Sequence, residues 1–267
     1  VSSLGFLNGL TATANATVNC YPMIQISGSS VREPIDLLQG TYEGLDQLSI
    51  AKPLVKAAYR VNKPEDIPTA VVRAYRAAIS GRPGGVYLDV TTPRLGAIMN
   101  AEDAEKLFYS PVDLCPAMPP APGAIERAVA LLASAKKPAI VIGKGAAYAR
   151  VEEQLKTLVD KTGIPYYPMS MAKGVLPDNG PLSAISCRST IMAEADVVIL
   201  AGARLNWLLS RGHGKWSQNT KFIQLDISPE EIDCNRPIAA PVVGDLASSL
   251  EALTEGIARA GMNMDPT

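Results

Sequence analysis

The chain has 267 residues, 47% of them hydrophobic and 19% charged, with a formal net charge of -1. That composition builds cores, and the length suits about two domains. The charge balance argues against a nucleic-acid partner, which needs clustered lysine and arginine. No apolar run reaches the ~20 residues of a membrane helix and no secretory leader opens the chain, so the expectation is a cytoplasmic protein without a membrane partner.

The first residue is Val1 and the opening five residues carry no start signal for a helix or strand, which suggests a chain that begins inside a domain. Residues 5–19 are small, apolar and helix-compatible. Residues 21–28 read as a buried strand ending at a Gly/Ser turn. Residues 31–49 are polar and loop-like, with a short helix near residues 42–47. Residues 64–79 form an amphipathic helix with Pro64 in its first turn, Glu65 and Asp66 at its positive end, and Ile67, Val71, Tyr75 and Ile79 on one face. A Gly/Pro turn at residues 81–85 leads into a strand over 86–90. Between Pro93 and Pro122 the pattern fails. Five prolines crowd residues 111–122, which read as an extended linker.

Beyond it, helices and strands alternate. Residues 124–135, 151–162 and 246–260 are helices, with Gly163 closing the second; residues 190–195 end another. Residues 138–143, 164–169, 197–202, 221–226 and 241–245 are strands. Ser228-Pro229-Glu230-Glu231 reads as a helix cap. Strands apolar throughout and alternating with helices imply a parallel sheet covered on both faces. The fold class is therefore α/β.

In such sheets ligands bind at the carboxyl ends of the strands. Those ends carry Gly143-Lys144-Gly145, Gly202-Ala203-Arg204, Asp226-Ile227 and Gly244-Asp245-Leu246. Glycines permit close backbone approach, Lys144 and Arg204 bring charge for a diphosphate, and Asp226 stands where an acid would accept from ribose hydroxyls. The Gly-x-Gly-x-x-Gly fingerprint is incomplete, and glycines at strand ends also serve turn geometry alone. Both readings stay open. A P-loop is excluded, because no Gly-x4-Gly-Lys-Ser/Thr occurs. Four scattered cysteines (Cys20, Cys115, Cys187, Cys234) fit no metal motif and read as reduced thiols. His213, the only histidine, reads as an exposed loop residue. In the first segment, Tyr42-Glu43 with Gln39-Gly40 and Asp46-Gln47 form either a site after a buried strand or an exposed polar loop.

Taken as a set, several motifs resemble thiamine diphosphate-dependent enzymes of the oxalyl-CoA decarboxylase family. They are Gly5-Phe6-Leu7-Asn8-Gly9, Gln39-Gly40-Thr41-Tyr42-Glu43, Ser80-Gly81-Arg82-Pro83-Gly84-Gly85, Gly143-Lys144-Gly145, Met171-Ala172-Lys173-Gly174, Gly202-Ala203-Arg204-Leu205-Asn206-Trp207 and Pro241-Val242-Val243-Gly244-Asp245. The resemblance covers nearly the whole chain. It implies part of a pyrimidine-binding domain over residues 1–110, a linker over 111–122, and a doubly wound, Rossmann-like central domain over 123–261. One departure is Ser3-Leu4, where the family usually has Ala-Pro.

The implied activity is conversion of oxalyl-CoA to formyl-CoA and CO2 with thiamine diphosphate, and Mg2+ in the complete enzyme. The family's cofactor-activating glutamate falls before Val1. Its metal-binding Gly-Asp-Gly motif belongs to a further domain, and Gly244-Asp245-Leu246 is not that motif, so no metal site is expected here and the chain alone should be inactive. The same resemblance implies ADP bound as an activator, with its contacts on Arg82, Lys144, Arg204, Asp226, Ile227, Asp245 and Leu246. Coenzyme A contacts fall on Ser183, Cys187 and Arg188, and substrate-side catalytic roles on Tyr42 and Glu43. A homo-oligomer, dimer or tetramer, is implied. The alternatives are a 2-hydroxyacyl-CoA lyase of the same family, or a non-catalytic nucleotide-binding regulatory module.

Overall fold

The computed structural model describes residues 2–37, 39–40 and 43–262. Two compact units divide at Pro116/Ala117.

The first unit contains α1 (Leu4–Asn19), β1 (Met23–Ser29), α2 (Arg32–Asp36), α3 (Gln47–Ala51), β2 (Ala57–Val61), α4 (Ile67–Ile79), β3 (Gly85–Thr91), α5 (Thr92–Leu95) and α6 (Ala101–Glu105). Its strands form a parallel three-stranded sheet in the order β1-β3-β2. Helix α1 ends at Cys20, whose left-handed backbone (φ 58°) lets its N–H reach back to the last carbonyls of the helix. A Cβ on Gly85 would stand 2.4 Å from the Thr13 carbonyl oxygen, so α1 rests directly on the start of β3.

Three expectations change here. Helix α4 buries Ala70, Ala74 and Ala78 rather than the larger face, and Val71 and Tyr75 are 41% and 45% exposed. Alanine lets the helix axis approach β2 and β3 closely, while Val71 and Tyr75 point away. The short helix placed at residues 42–47 begins instead at Gln47, because the Asp46 carboxylate accepts from the Ser49 N–H (3.3 Å) and caps α3 there. The loop-like reading of residues 31–49 omitted α2, and β2 was not foreseen.

The second unit contains α7 (Pro122–Ala133), β4 (Pro138–Ile142), α8 (Lys144–Ala149), α9 (Glu152–Thr162), β5 (Tyr166–Pro168), α10 (Arg188–Glu194), β6 (Val197–Ala201), β7 (Lys221–Asp226), β8 (Ala240–Val243) and α11 (Leu246–Arg259). All five strands are parallel, in the order β5-β4-β6-β7-β8. Alternation along each strand feeds two cores. Ile140, Ile142, Val197, Ile199, Ile223 and Leu225 face the core under α7, α9 and α11. Ala139, Val141, Val198, Leu200 and Phe222 face the opposite core with Met192 of α10 and Trp216. Burial on both faces is what makes the strands apolar throughout. Gly163 closes α9 in the left-handed conformation (φ 65°). The expected helix after Ser228 is only a 3-10 turn, Pro229–Glu231, and the Ser228 side chain caps nothing.

Candidate functional site

Backbone hydrogen bonds put the strand tips of the second unit in one row. The N–H of Gly143 donates to Ala201 (2.9 Å), that of Gly202 to Leu225 (3.1 Å), and that of Gly244 to Asp226 (3.0 Å). Lys144, Arg204, Asp226, Ile227, Asp245 and Leu246 therefore follow one carboxyl edge. In sequence the strand order is 2-1-3-4-5, so the order of strand addition reverses between β4 and β6, the position where doubly wound sheets hold ligands.

The glycines at this switch approach each other. A Cβ on Gly143 would lie 2.2 Å from the Gly202 oxygen and 2.5 Å from Ala203 Cα, and one on Gly145 would lie 2.9 Å from Gly202 Cα. Gly145 N–H donates to the Gly202 carbonyl (3.0 Å), and Gly202 itself needs a left-handed backbone (φ 58°). These glycines lock the two tip loops together.

The charged side chains around them are ordered by their own chain. Arg204 pairs with Glu231 at 3.3 Å. Asp226 accepts from the Ser228 N–H (3.0 Å) through Oδ1 and from Gln224 Nε2 (3.4 Å) through Oδ2. Lys144 Nζ lies 5.8 Å from the Tyr148 ring centroid. Asp245 caps α11, accepting from both the N–H and the hydroxyl of Ser248 at 2.9 Å. Ile227 is half-buried and Leu246 packs into the core, so a ligand would meet the backbone at Leu246 rather than its side chain. Arg204 also lines a small cavity of about 70 Å³ with Gln224, Glu231, Asn235 and Arg236. Arg82 belongs to the first unit, where its Nε donates to Cys20 Sγ (3.0 Å).

Ser183, Cys187 and Arg188 sit between β5 and the start of α10. Ser183 donates to the Asp178 carbonyl (2.6 Å), and Arg188 donates to the Leu208 carbonyl while its guanidinium lies 5.8 Å from the Tyr167 ring centroid. The Tyr167 hydroxyl is buried without a well-aligned hydrogen bond, and burial pushes its pKa up to about 12. The cysteines are free thiols, with Cys187 exposed. His213 is exposed and its Nε2 meets the Asn235 carbonyl at 2.9 Å. Among the described residues no group of His, Cys, Asp and Glu could hold a metal, and no helix is long and apolar enough to cross a membrane.

Tyr42 lies outside the described residues. Glu43 is held twice: its carboxylate accepts from the Ser2 hydroxyl, and its carbonyl accepts from Ser30 Oγ (3.1 Å). Beside it the first unit carries a polar interior that the sequence reading passed over. Gln47 is fully buried and accepts from the Ser3 N–H. Its Nε2 is within reach of Ser27 Oγ (3.2 Å), the Gly28 carbonyl (2.9 Å) and the Tyr87 hydroxyl (2.7 Å). Asp89, fully buried in β3, accepts from Arg60 Nε at 2.6 Å, and Arg60 also reaches Asp46 at 3.3 Å. Burial, helped by the Asp89 charge and opposed by the Ser27 hydrogen bond, pushes the Tyr87 pKa up to about 12. A carboxylate in the middle of an apolar strand was the available signal. Among the described residues, Ser3 Oγ and Ser29 Oγ are buried without hydrogen-bond partners, so the first unit holds unmet polar capacity near Gln47 and at the end of β1.

The parallel five-stranded sheet with helices on both faces makes the second unit a Rossmann-like α/β domain. Residues 125–253 match the thiamine pyrophosphate enzyme central domain. Over 253 residues the chain is 55% identical to oxalyl-CoA decarboxylase of Escherichia coli K12, covering 95% of this chain and 45% of that protein. It is 41% identical to 2-hydroxyacyl-CoA lyase of Arabidopsis thaliana (96% and 45% covered) and 34% identical to 2-hydroxyacyl-CoA lyase 1 of Homo sapiens (96% and 44%). The chain thus spans a little under half the length of these relatives. In fold it is similar to benzoylformate decarboxylase from Polynucleobacter necessarius, with a TM-score of 0.80 at 18% identity, covering 100% of this chain and 49% of that one. The second unit thus matches the central domain of thiamine pyrophosphate enzymes.

Proposed function

We propose that this chain is part of a thiamine diphosphate-dependent decarboxylase that converts oxalyl-CoA to formyl-CoA and CO2, its second unit binding ADP. The observation that carries the reading is the 55% identity to an oxalyl-CoA decarboxylase across 95% of the chain. In this reading residues 1–110 are part of the pyrimidine-binding domain, 111–122 the linker and 123–261 the central domain.

Thiamine diphosphate, when bound, supplies the electron sink that carbon–carbon cleavage next to a carbonyl requires. The orphaned hydroxyls of Ser3 and Ser29 fit its polar edge. Mg2+ would be held outside this chain. Glu43, oriented by Ser2, presents a carboxylate toward the substrate side, and Tyr42 is assigned its partner role there. At the sheet edge, Lys144 and Arg204 bring charge to a diphosphate, Asp226 accepts from ribose hydroxyls, and the backbone around Ile227, Asp245 and Leu246 closes the site. Ser183, Cys187 and Arg188 would contact coenzyme A, Arg188 facing a phosphate. The enzyme works as a cytoplasmic homo-oligomer.

The test is turnover by the full-length enzyme. Formyl-CoA released from oxalyl-CoA supports the reading. Its absence, with cleavage of longer 2-hydroxyacyl-CoA substrates, refutes it in favour of the lyase, the second reading, which rests on the 41% identity to the plant enzyme.

A further inference from the structure

We infer that Gln47, Tyr87, Asp89 and Arg60 are positioning residues that fix the segment from Glu43 to Gln47, and with it the Glu43 carboxylate. This rests on the reading of Glu43 as a substrate-side residue.

The bonds close a ring. From Glu43 the chain runs to Gln47, whose side chain takes the Ser3 N–H. Ser3 is next to Ser2, whose hydroxyl returns to the Glu43 carboxylate. Gln47 anchors that ring to the sheet through the Gly28 carbonyl of β1 and the Tyr87 hydroxyl of β3. Tyr87 in turn shares its hydroxyl with Ser27 (2.8 Å) and lies 3.5 Å from Asp89. Asp89 orients Arg60, and Arg60 grips Asp46, the residue before Gln47 and the cap of α3. The Glu43 end is thereby tied to Ser2, ahead of α1, and to Ser30, after β1; the Asp46–Gln47 end is tied to Ser3, β1, β3 and, through Arg60, β2.

Stability alone does not account for such an interior. A buried ion pair contributes little or nothing over a well-packed apolar replacement, because two charges must leave water. Four polar groups inside a three-stranded sheet, all converging on one loop, specify where that loop stands. A carboxylate misplaced by about 1 Å at a reacting centre costs up to ~100-fold in rate.

The experiment uses the full-length enzyme with Gln47→Leu, which removes the anchor, and Tyr87→Phe, which removes one oxygen and keeps the ring. Two quantities are read: steady-state kinetics on oxalyl-CoA, and hydrogen exchange of the peptide spanning residues 43–50. In both variants exchange of that peptide should accelerate while residues 197–226 stay unchanged. The kcat should fall ~10-fold or more with KM within about twofold. Arg60→Lys should recover part of the kcat lost in Arg60→Met, since it keeps the charge facing Asp89 and Asp46. Unchanged exchange in Tyr87→Phe, or faster exchange with kcat unaltered, would overturn the inference. If the wild-type enzyme does not turn over oxalyl-CoA, the functional reading fails by itself, and the exchange measurement still decides whether this network holds the segment.

Discussion

Replacing Gly143 by alanine separates two reasons for a glycine at a strand tip. Its backbone is extended (φ -100°, ψ 178°), a conformation open to any residue. On conformational grounds alanine would be neutral, or stabilising by about 0.5 kcal/mol through the unfolded chain. The contacts say the opposite. The added methyl would sit 2.2 Å from the Gly202 oxygen and 2.5 Å from Ala203 Cα, both backbone atoms. Relief requires the two tip loops to part by roughly 1 Å or more, breaking ordinary van der Waals packing. Overpacking of this kind costs about 1–3 kcal/mol. With rigid backbone on the far side, the expected loss is ~3 kcal/mol. Gly174→Ala is the control: its φ is 86° but nothing lies within 4 Å, so only the left-handed penalty of about 1 kcal/mol applies. Both tryptophans, Trp207 and Trp216, lie in this unit, and Trp216 is buried with its indole N–H on the Leu209 carbonyl (2.8 Å). Tryptophan fluorescence during urea unfolding therefore follows this unit alone. A Gly143→Ala variant within 0.5 kcal/mol of the parent (about the error of such a comparison) would refute the close-approach argument and leave turn geometry as the reason for the residue.

Other outcomes follow from the same geometry. Asp245→Ala should cost about 1 kcal/mol by uncapping α11, and Asp245→Asn should recover most of it, both measured by urea unfolding. ADP should raise the melting temperature of the chain, and Asp226→Ala should diminish that rise; a calorimetric titration without binding at millimolar ADP would reject the nucleotide site. Tyr87 and Tyr167 both have pKa values raised from 10.0 to about 12. The native state then holds protons that the unfolded state releases. The stabilisation is complete below pH 10 and is lost as pH rises toward 12, by up to about 1.4 kcal/mol per pH unit per tyrosine. Tyr87→Phe should flatten the stability profile in that window, and an unchanged slope would show that Tyr87 ionises normally.

The second unit was legible because its strands are buried on both faces and must be apolar throughout; 197–201 and 221–226 could hardly be anything else. The tip residues were legible too, since strand ends share one edge in a parallel sheet. The glycines' mutual contact was hidden, because it joins residues about sixty apart in sequence. The first unit was harder to read. Helix α4 buries alanines, so its apolar periodicity pointed to the wrong face. Strand β2 is short and carries Arg60, whose partners lie on β3 and α3. The polar interior around Gln47 depends on contacts between residues 3, 27, 47, 60, 87 and 89, none of which local pattern connects. Coenzyme A, ADP and thiamine roles came from resemblance to whole motifs, with the strand-tip charges alone reached from residues and topology.

The most direct test of the account is the full-length enzyme supplied with thiamine diphosphate and Mg2+ and given oxalyl-CoA or a 2-hydroxyacyl-CoA of longer chain. The expected result is formyl-CoA and CO2 from oxalyl-CoA, with stimulation by ADP that Asp226→Ala abolishes. Turnover of the longer substrate alone, or no decarboxylation of oxalyl-CoA, would contradict it.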